Sequence, residues 1–218
     1  MRRPVLLLEF VLLFVALPLG YRFSPWHLPA LPLLWLVAGY ALWRLLAGPE
    51  FNRVRLWNPK ALRGRLLAIL PLFGVSALAL WLGVRHYAPA LEWNMVRESP
   101  AFWALVMVVY PVLSVYPQGL LYRAFFFERY ERLFPGKWLM IVASAAAFAF
   151  LHIIFRNNLA IALTFAGGLL FAARYAETGS LATSSFEHAL YGCWLFTVGL
   201  GQYFYSGTIA SVGSAIRR

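Results

Sequence analysis

The sequence contains no aspartate. All eight acidic residues are glutamates, set against 19 Lys and Arg in 218 residues. That absence removes an intramembrane protease built on two Asp carboxylates, since a shared aspartate pair is its chemistry. Cysteine is nearly absent too. Cys193 stands alone, which excludes an intrachain disulfide and a cysteine-rich metal site. No H-E-x-x-H occurs, so the zinc-protease arrangement of two histidines on one helix face is missing. No G-x-S-x-G occurs either, so a serine nucleophile lacks its usual setting. Charge of any sign is scarce, at 12% of residues.

What is present is hydrocarbon. Hydrophobic residues make up 62% of the chain, and mean hydropathy is +0.70. Such a composition excludes an ordinary soluble domain and predicts an all-α polytopic transmembrane bundle. Seven apolar runs are expected to form helices, at about 4–21, 31–46, 66–84, 101–130, 138–155, 158–175 and 181–205, and an eighth falls within the tail 206–218. The basic start Met1-Arg2-Arg3 before an apolar run has the outline of a signal peptide. No small-x-small cleavage pattern follows it, and the run is long enough to span, so it is read as the first helix.

The formal net charge of +11 would point to nucleic acid in a soluble protein. Here the basic residues gather between apolar runs, above all from Arg44 to Arg65, the pattern of cytoplasmic loops. The partners expected are therefore the lipid bilayer and no nucleic acid, with the N-terminus cytoplasmic. Three units follow: helices of 1–100 with the basic loop, a four-helix core over 101–205, and a short tail over 206–218. Glu9, inside the first run, is read as a carboxyl near a helix start that is protonated or reaches the interface. His27 and His86 are read as solvated outer residues rather than a metal pair.

Three polar stretches interrupt the apolar background: Gln118 to Arg123, Phe148 to His152, and His188 to Gly192. A polar group without a partner in hydrocarbon costs several kcal/mol, so such residues face one another or a wet cavity. Residues four apart share a helix face, which aligns Gln118 with Tyr122, Gly119 with Arg123, Phe148 with His152 and His188 with Gly192. Arg123 keeps its charge at any relevant pH and has no carboxylate one turn back. Glu187, beside His188, is its expected partner. Pro111 and Pro117 predict a kink and freed carbonyls just before Gln118. Ser184 and Ser185 are read as helix-start residues and Cys193 as a packed small residue.

These stretches resemble the motifs of the CAAX-protease and bacteriocin-processing family, the type II CAAX prenyl endopeptidase-like or Abi proteins. The family's motifs run E-E-x-x-x-R, F-x-x-x-H and H-x-x-x-N or H-x-x-x-D. Phe148 to His152 matches the second fully, Arg123 ends the first, and His188 begins the third. The resemblance covers about 101–204. It implies an intramembrane endopeptidase of membrane-anchored protein or peptide substrates, in a bacterial inner membrane. His152, His188, the position of Gln118 and Arg123 would form the catalytic set, with Tyr122, Phe148 and Gly192 binding substrate.

This chain departs from the motifs at three positions. The two glutamates are replaced by Gln118 and Gly119, and the Asn or Asp by Gly192. A neutral amide cannot take a proton from water, and general-base catalysis is worth about 10²–10⁴-fold. A lost oxyanion donor costs on the order of 3 kcal/mol. Two rescues are open: Glu187 as a compensating carboxylate, or an imidazole of His152 or His188 as the base itself. Two imidazoles and an amide are an incomplete zinc set, so no metal and no cofactor is expected. Three function classes stay open. They are an intramembrane endopeptidase, a non-catalytic chaperone, immunity or regulatory protein on the same fold, and an unrelated small transporter or assembly factor.

Overall fold

The computed structural model describes residues 3–25 and 29–204. His27 and the tail, with the eighth helix expected there, lie outside the described residues. The described chain is helical throughout, with no strand among the described residues. Among the described residues seven longer helices run back and forth: α1 (Arg3–Phe23), α2 (Ala30–Leu46), α4 (Leu66–Tyr87), α6 (Pro100–Arg129), α7 (Lys137–Phe155), α8 (Asn158–Thr178) and α9 (Leu181–Val198). Two short helices lie in the connections, α3 (Pro59–Arg63) and α5 (Asn94–Glu98). Among the described residues, α1, α4, α6, α7 and α8 are each long and apolar enough to cross a membrane. Helix α2 falls just short in length. Helix α9 is diluted by Thr183, Ser184, Ser185, Glu187 and His188, which are all buried against its neighbours. The protein is an all-α polytopic membrane bundle, and the apolar side chains left exposed, such as Leu36, Leu67 and Val108, match a lipid environment.

Helix α9 ends at Val198, earlier than the apolar run suggests. Gly199 has φ of 109°, and the Leu200 N–H turns back to the Leu195 carbonyl at 2.9 Å, closing the helix in a left-handed cap. A β-carbon there would also run into the Leu91 carbonyl, so glycine is required twice over.

The long helix α6 carries the expected prolines and accommodates them by widened π-turns at Pro111–Val115 and Leu120–Phe125, on either side of Gln118. Pro117 has no N–H for the Leu113 carbonyl in the ordinary helical pattern. The Trp35 indole of α2 donates to that oxygen at 3.0 Å. That carbonyl is thus tied to a neighbouring helix, which pins α2 against α6.

Aromatic rings knit α1 to α6. Phe14 lies 5.3 Å from Tyr122, 5.2 Å from Phe126 and 5.7 Å from Tyr130, centroid to centroid, all edge-on. Glu9 neither reaches the interface alone nor enters the polar site. Its carboxylate accepts from the Tyr40 hydroxyl at 2.6 Å and pairs with Arg129 at 2.8 Å, joining α1, α2 and α6 at the basic side. Arg55 pairs with Glu128 at 3.1 Å on the same side.

Candidate functional site

A cavity of about 1310 Å³ opens between the N-terminal helices and α6 to α9. Its wall is apolar except where Gln118, His152, His188, Tyr110, Ser114 and a few other hydroxyl groups face it. The three motif residues come from three different helices and line one space. Tyr122, Phe148 and Gly192 line it as well, whereas Arg123 and Glu187 do not.

Gln118 stands on α6 between the two widened turns and is buried. Its amide donates to Ser114 Oγ at 2.7 Å, one turn back on the same face. His152 begins the tightened last turn of α7, which stops at Arg156 in the left-handed region. Its Nδ1 lies 2.7 Å from the Phe148 carbonyl oxygen. A carbonyl only accepts, so in the neutral ring the proton sits on Nδ1 and Nε2 is the basic nitrogen. His188 stacks on Phe171 at 4.6 Å and meets the edge of Phe148 at 5.4 Å. Its Nε2 is 3.5 Å from the Tyr110 hydroxyl. Phe148 is the hub, 4.7 Å from the His152 ring and 5.4 Å from Tyr122.

The expected pairing of Arg123 with Glu187 does not form. Glu187 is fully buried and belongs to Arg174 of α8, which donates to it from Nε at 2.8 Å and from Nη2 at 3.2 Å. Arg174 also holds Glu177 at 3.0 Å. Helices α8 and α9 are antiparallel neighbours, so residues 13 apart meet across their connection. Glu187 is therefore paired with Arg174 and does not line the cavity.

Arg123 is 1% exposed, and none of its three guanidinium nitrogens has a hydrogen-bond partner. Its guanidinium carbon sits 4.2 Å from the centre of the Phe148 ring and 5.6 Å from that of Phe171. A desolvated cation–π contact contributes about 2 kcal/mol. The effective cost of burying an ion is several kcal/mol, so the rings offset only part of it.

The two glycines of the motif frame are filled from other helices. A β-carbon on Gly119 would lie 2.7 Å from Ser185 Oγ and 2.9 Å from Leu181 Cδ1, both on α9. A β-carbon on Gly192 would collide with the Tyr110 hydroxyl and ring. Tyr110 thus occupies the space of the missing motif side chain. It is the site residue that motif reasoning passed over, although a glycine where a polar side chain is expected signals that something else fills the volume. Ser114 was within reach of sequence reasoning, since it lies four residues before Gln118. Ser184 and Ser185 sit a turn inside α9, where Ser180 is the cap and accepts from the Thr183 N–H at 3.3 Å. Ser184 donates to the Phe171 carbonyl at 2.8 Å.

His86 is exposed at the end of α4, and no group of three or more metal-ligating side chains occurs among the described residues. The arrangement is thus a multi-pass membrane bundle with an intramembrane cavity carrying two imidazoles and an amide. Residues 99–194 match the Rce1-like family, described as type II CAAX prenyl endopeptidase Rce1-like. The match spans α6, α7, α8 and most of α9, and bears out the resemblance carried by the three polar stretches. No curated protein and no solved structure matches the chain.

Proposed function

We propose that the protein takes a membrane-associated peptide or protein segment into the cavity of its CAAX-protease-like core, and that hydrolysis there is impaired, so that binding is its working activity. One observation carries this reading: among the described residues that line the cavity, none is an aspartate or a glutamate. The family's water-activating carboxylate has no counterpart on this wall, because Gln118 replaces it and Glu187 is held by Arg174. Polar groups suited to binding remain on the wall. A peptide backbone entering hydrocarbon needs hydrogen-bond partners, and Gln118, His152, His188 and Tyr110 supply them within an apolar wall. The volume exceeds the roughly 300–1,000 Å³ of a small-molecule pocket, in keeping with a polypeptide segment. The excess of basic residues between Arg44 and Arg65 supports a cytoplasmic N-terminus. Gln118, His152, His188 and Tyr110 come from the span 101–204, and residues of 1–100 complete the wall, Tyr21, Ser76 and Tyr87 among them.

A second reading rests on His152. Its Nδ1 contact to the Phe148 carbonyl leaves Nε2 basic, the arrangement of an imidazole general base. The test separates the two. A membrane-anchored peptide with a photoreactive side chain is reconstituted with the protein in liposomes and irradiated. Crosslinks to α6, α7 or α9 that survive His152→Ala and His188→Ala, with the peptide uncut, support binding without hydrolysis. Failure to crosslink, or cleavage that either substitution abolishes, overturns it.

A further inference from the structure

Among the described residues, no group neutralises the buried Arg123 guanidinium. Four of the eight glutamates pair with arginines: Glu9 with Arg129, Glu128 with Arg55, and Glu177 and Glu187 with Arg174. Glu92 accepts from the Trp81 and Trp93 indoles. Glu50, Glu98 and Glu131 are exposed in connections or at a helix end. Among the described residues no carboxylate is left over to meet Arg123, and the position one turn back, Gly119, has its space taken by Ser185 and Leu181.

This cation packs against two rings that belong to the cavity wall. Phe148 and Phe171 both line the cavity, and the guanidinium carbon lies behind them at 4.2 and 5.6 Å from their centres. The cavity side of those rings carries neutral polar groups and no formal charge among the described residues. Contact between a cavity occupant and the buried Arg123 requires the Phe148 or Phe171 ring to turn aside.

We propose that Arg123 is the receptor for a single carboxylate carried on an apolar chain that occupies the cavity. The proposal rests on the cavity being a binding site, and it names the chemistry of what binds. The apolar wall of about 1310 Å³ suits the chain. The planar fork of an arginine suits a carboxylate, which it grips with two parallel charge-assisted hydrogen bonds. One positive charge is matched by a monoanion, whereas a dianion such as a phosphate monoester would leave a net negative charge buried. Two sources offer this chemistry, a free fatty acid and the C-terminal carboxylate of an apolar peptide.

Binding constants of the purified full-length protein in detergent are compared at about pH 8, where carboxylates are ionised. The probes are palmitic acid against its methyl ester, and an apolar peptide ending in a free carboxylate against its C-terminal amide. In at least one pair the acid is expected to bind at least about tenfold more tightly than its neutral counterpart, as two charge-assisted bonds imply. The pair that shows the preference identifies the source. Arg123→Met should bring the ratio to within about twofold. Equal binding of acid and neutral probe in both pairs overturns the proposal and leaves the cavity reading intact. A preference that persists in Arg123→Met overturns it as well. No binding of any of the four probes overturns both. If Arg123→Met is not recovered folded, the wild-type ratios decide by themselves.

Discussion

Glu187 is the residue whose role differs most between a working and a silent site, and its environment makes the difference measurable. Its carboxylate is fully buried and takes two hydrogen bonds from Arg174, whose own side chain is 9% exposed. Glu187→Leu keeps a similar volume and strands the arginine. Breaking a buried pair by removing one partner costs about 3–5 kcal/mol. Glu177, at 3.0 Å from Arg174 but 37% exposed, retains part of the compensation, which points to the lower end of that range. At about 2–4 °C per kcal/mol for a chain of this size, a loss of about 3 kcal/mol lowers the midpoint of thermal unfolding by roughly 6–12 °C. The double substitution Glu187→Leu with Arg174→Met replaces the pair by apolar groups and should recover most of that loss. The assay is thermal unfolding of the purified protein in detergent, read for the wild type, each single variant and the double. A fall below about 2 °C for Glu187→Leu, or a double variant no more stable than the single, would refute the reasoning and release Glu187 as a candidate base.

Three further outcomes are expected. Gly192→Asn restores the family's residue but drives it into Tyr110, so it should destabilise by about 1–3 kcal/mol in the same unfolding assay, and Tyr110→Ala in the same chain should relieve the loss. Gly119→Ala places a methyl against Ser185 Oγ and Leu181, with a cost of similar size. Ser185→Ala is expected to recover part of that cost and, because its buried hydroxyl has no partner, to be neutral or stabilising by itself. Trp35→Phe removes the donor to the Leu113 carbonyl and should cost about 1 kcal/mol, with increased hydrogen exchange in α6 around Leu113 measured by mass spectrometry.

The helices were legible because apolar runs bounded by arginines and prolines are long-range-independent signals. The F-x-x-x-H spacing likewise foretold that Phe148 and His152 share a face, and their rings lie 4.7 Å apart. Interhelical partners were not legible in the same way. Arg174 claims Glu187, and Glu9 meets Arg129 across 120 residues, through helix rotations that no local pattern encodes. Tyr110 filling the Gly192 space is a packing fact of the same kind, set by where α6 crosses α9. The end of α9 was misjudged because hydropathy continues past Gly199, while backbone geometry does not. The missing glutamates of the first motif were visible at once. What the sequence left open was whether another carboxylate replaces them on the cavity wall, and the three-dimensional arrangement of Glu187 answers that for the described residues.

The account turns on whether a segment held in the cavity is cut. The direct measurement is the cleavage rate of a membrane-anchored reporter peptide in proteoliposomes of the wild type, with His152→Ala protein as the blank. The account predicts equal rates. A wild-type rate about 10²-fold or more above the blank, the size of a general-base contribution, would contradict it.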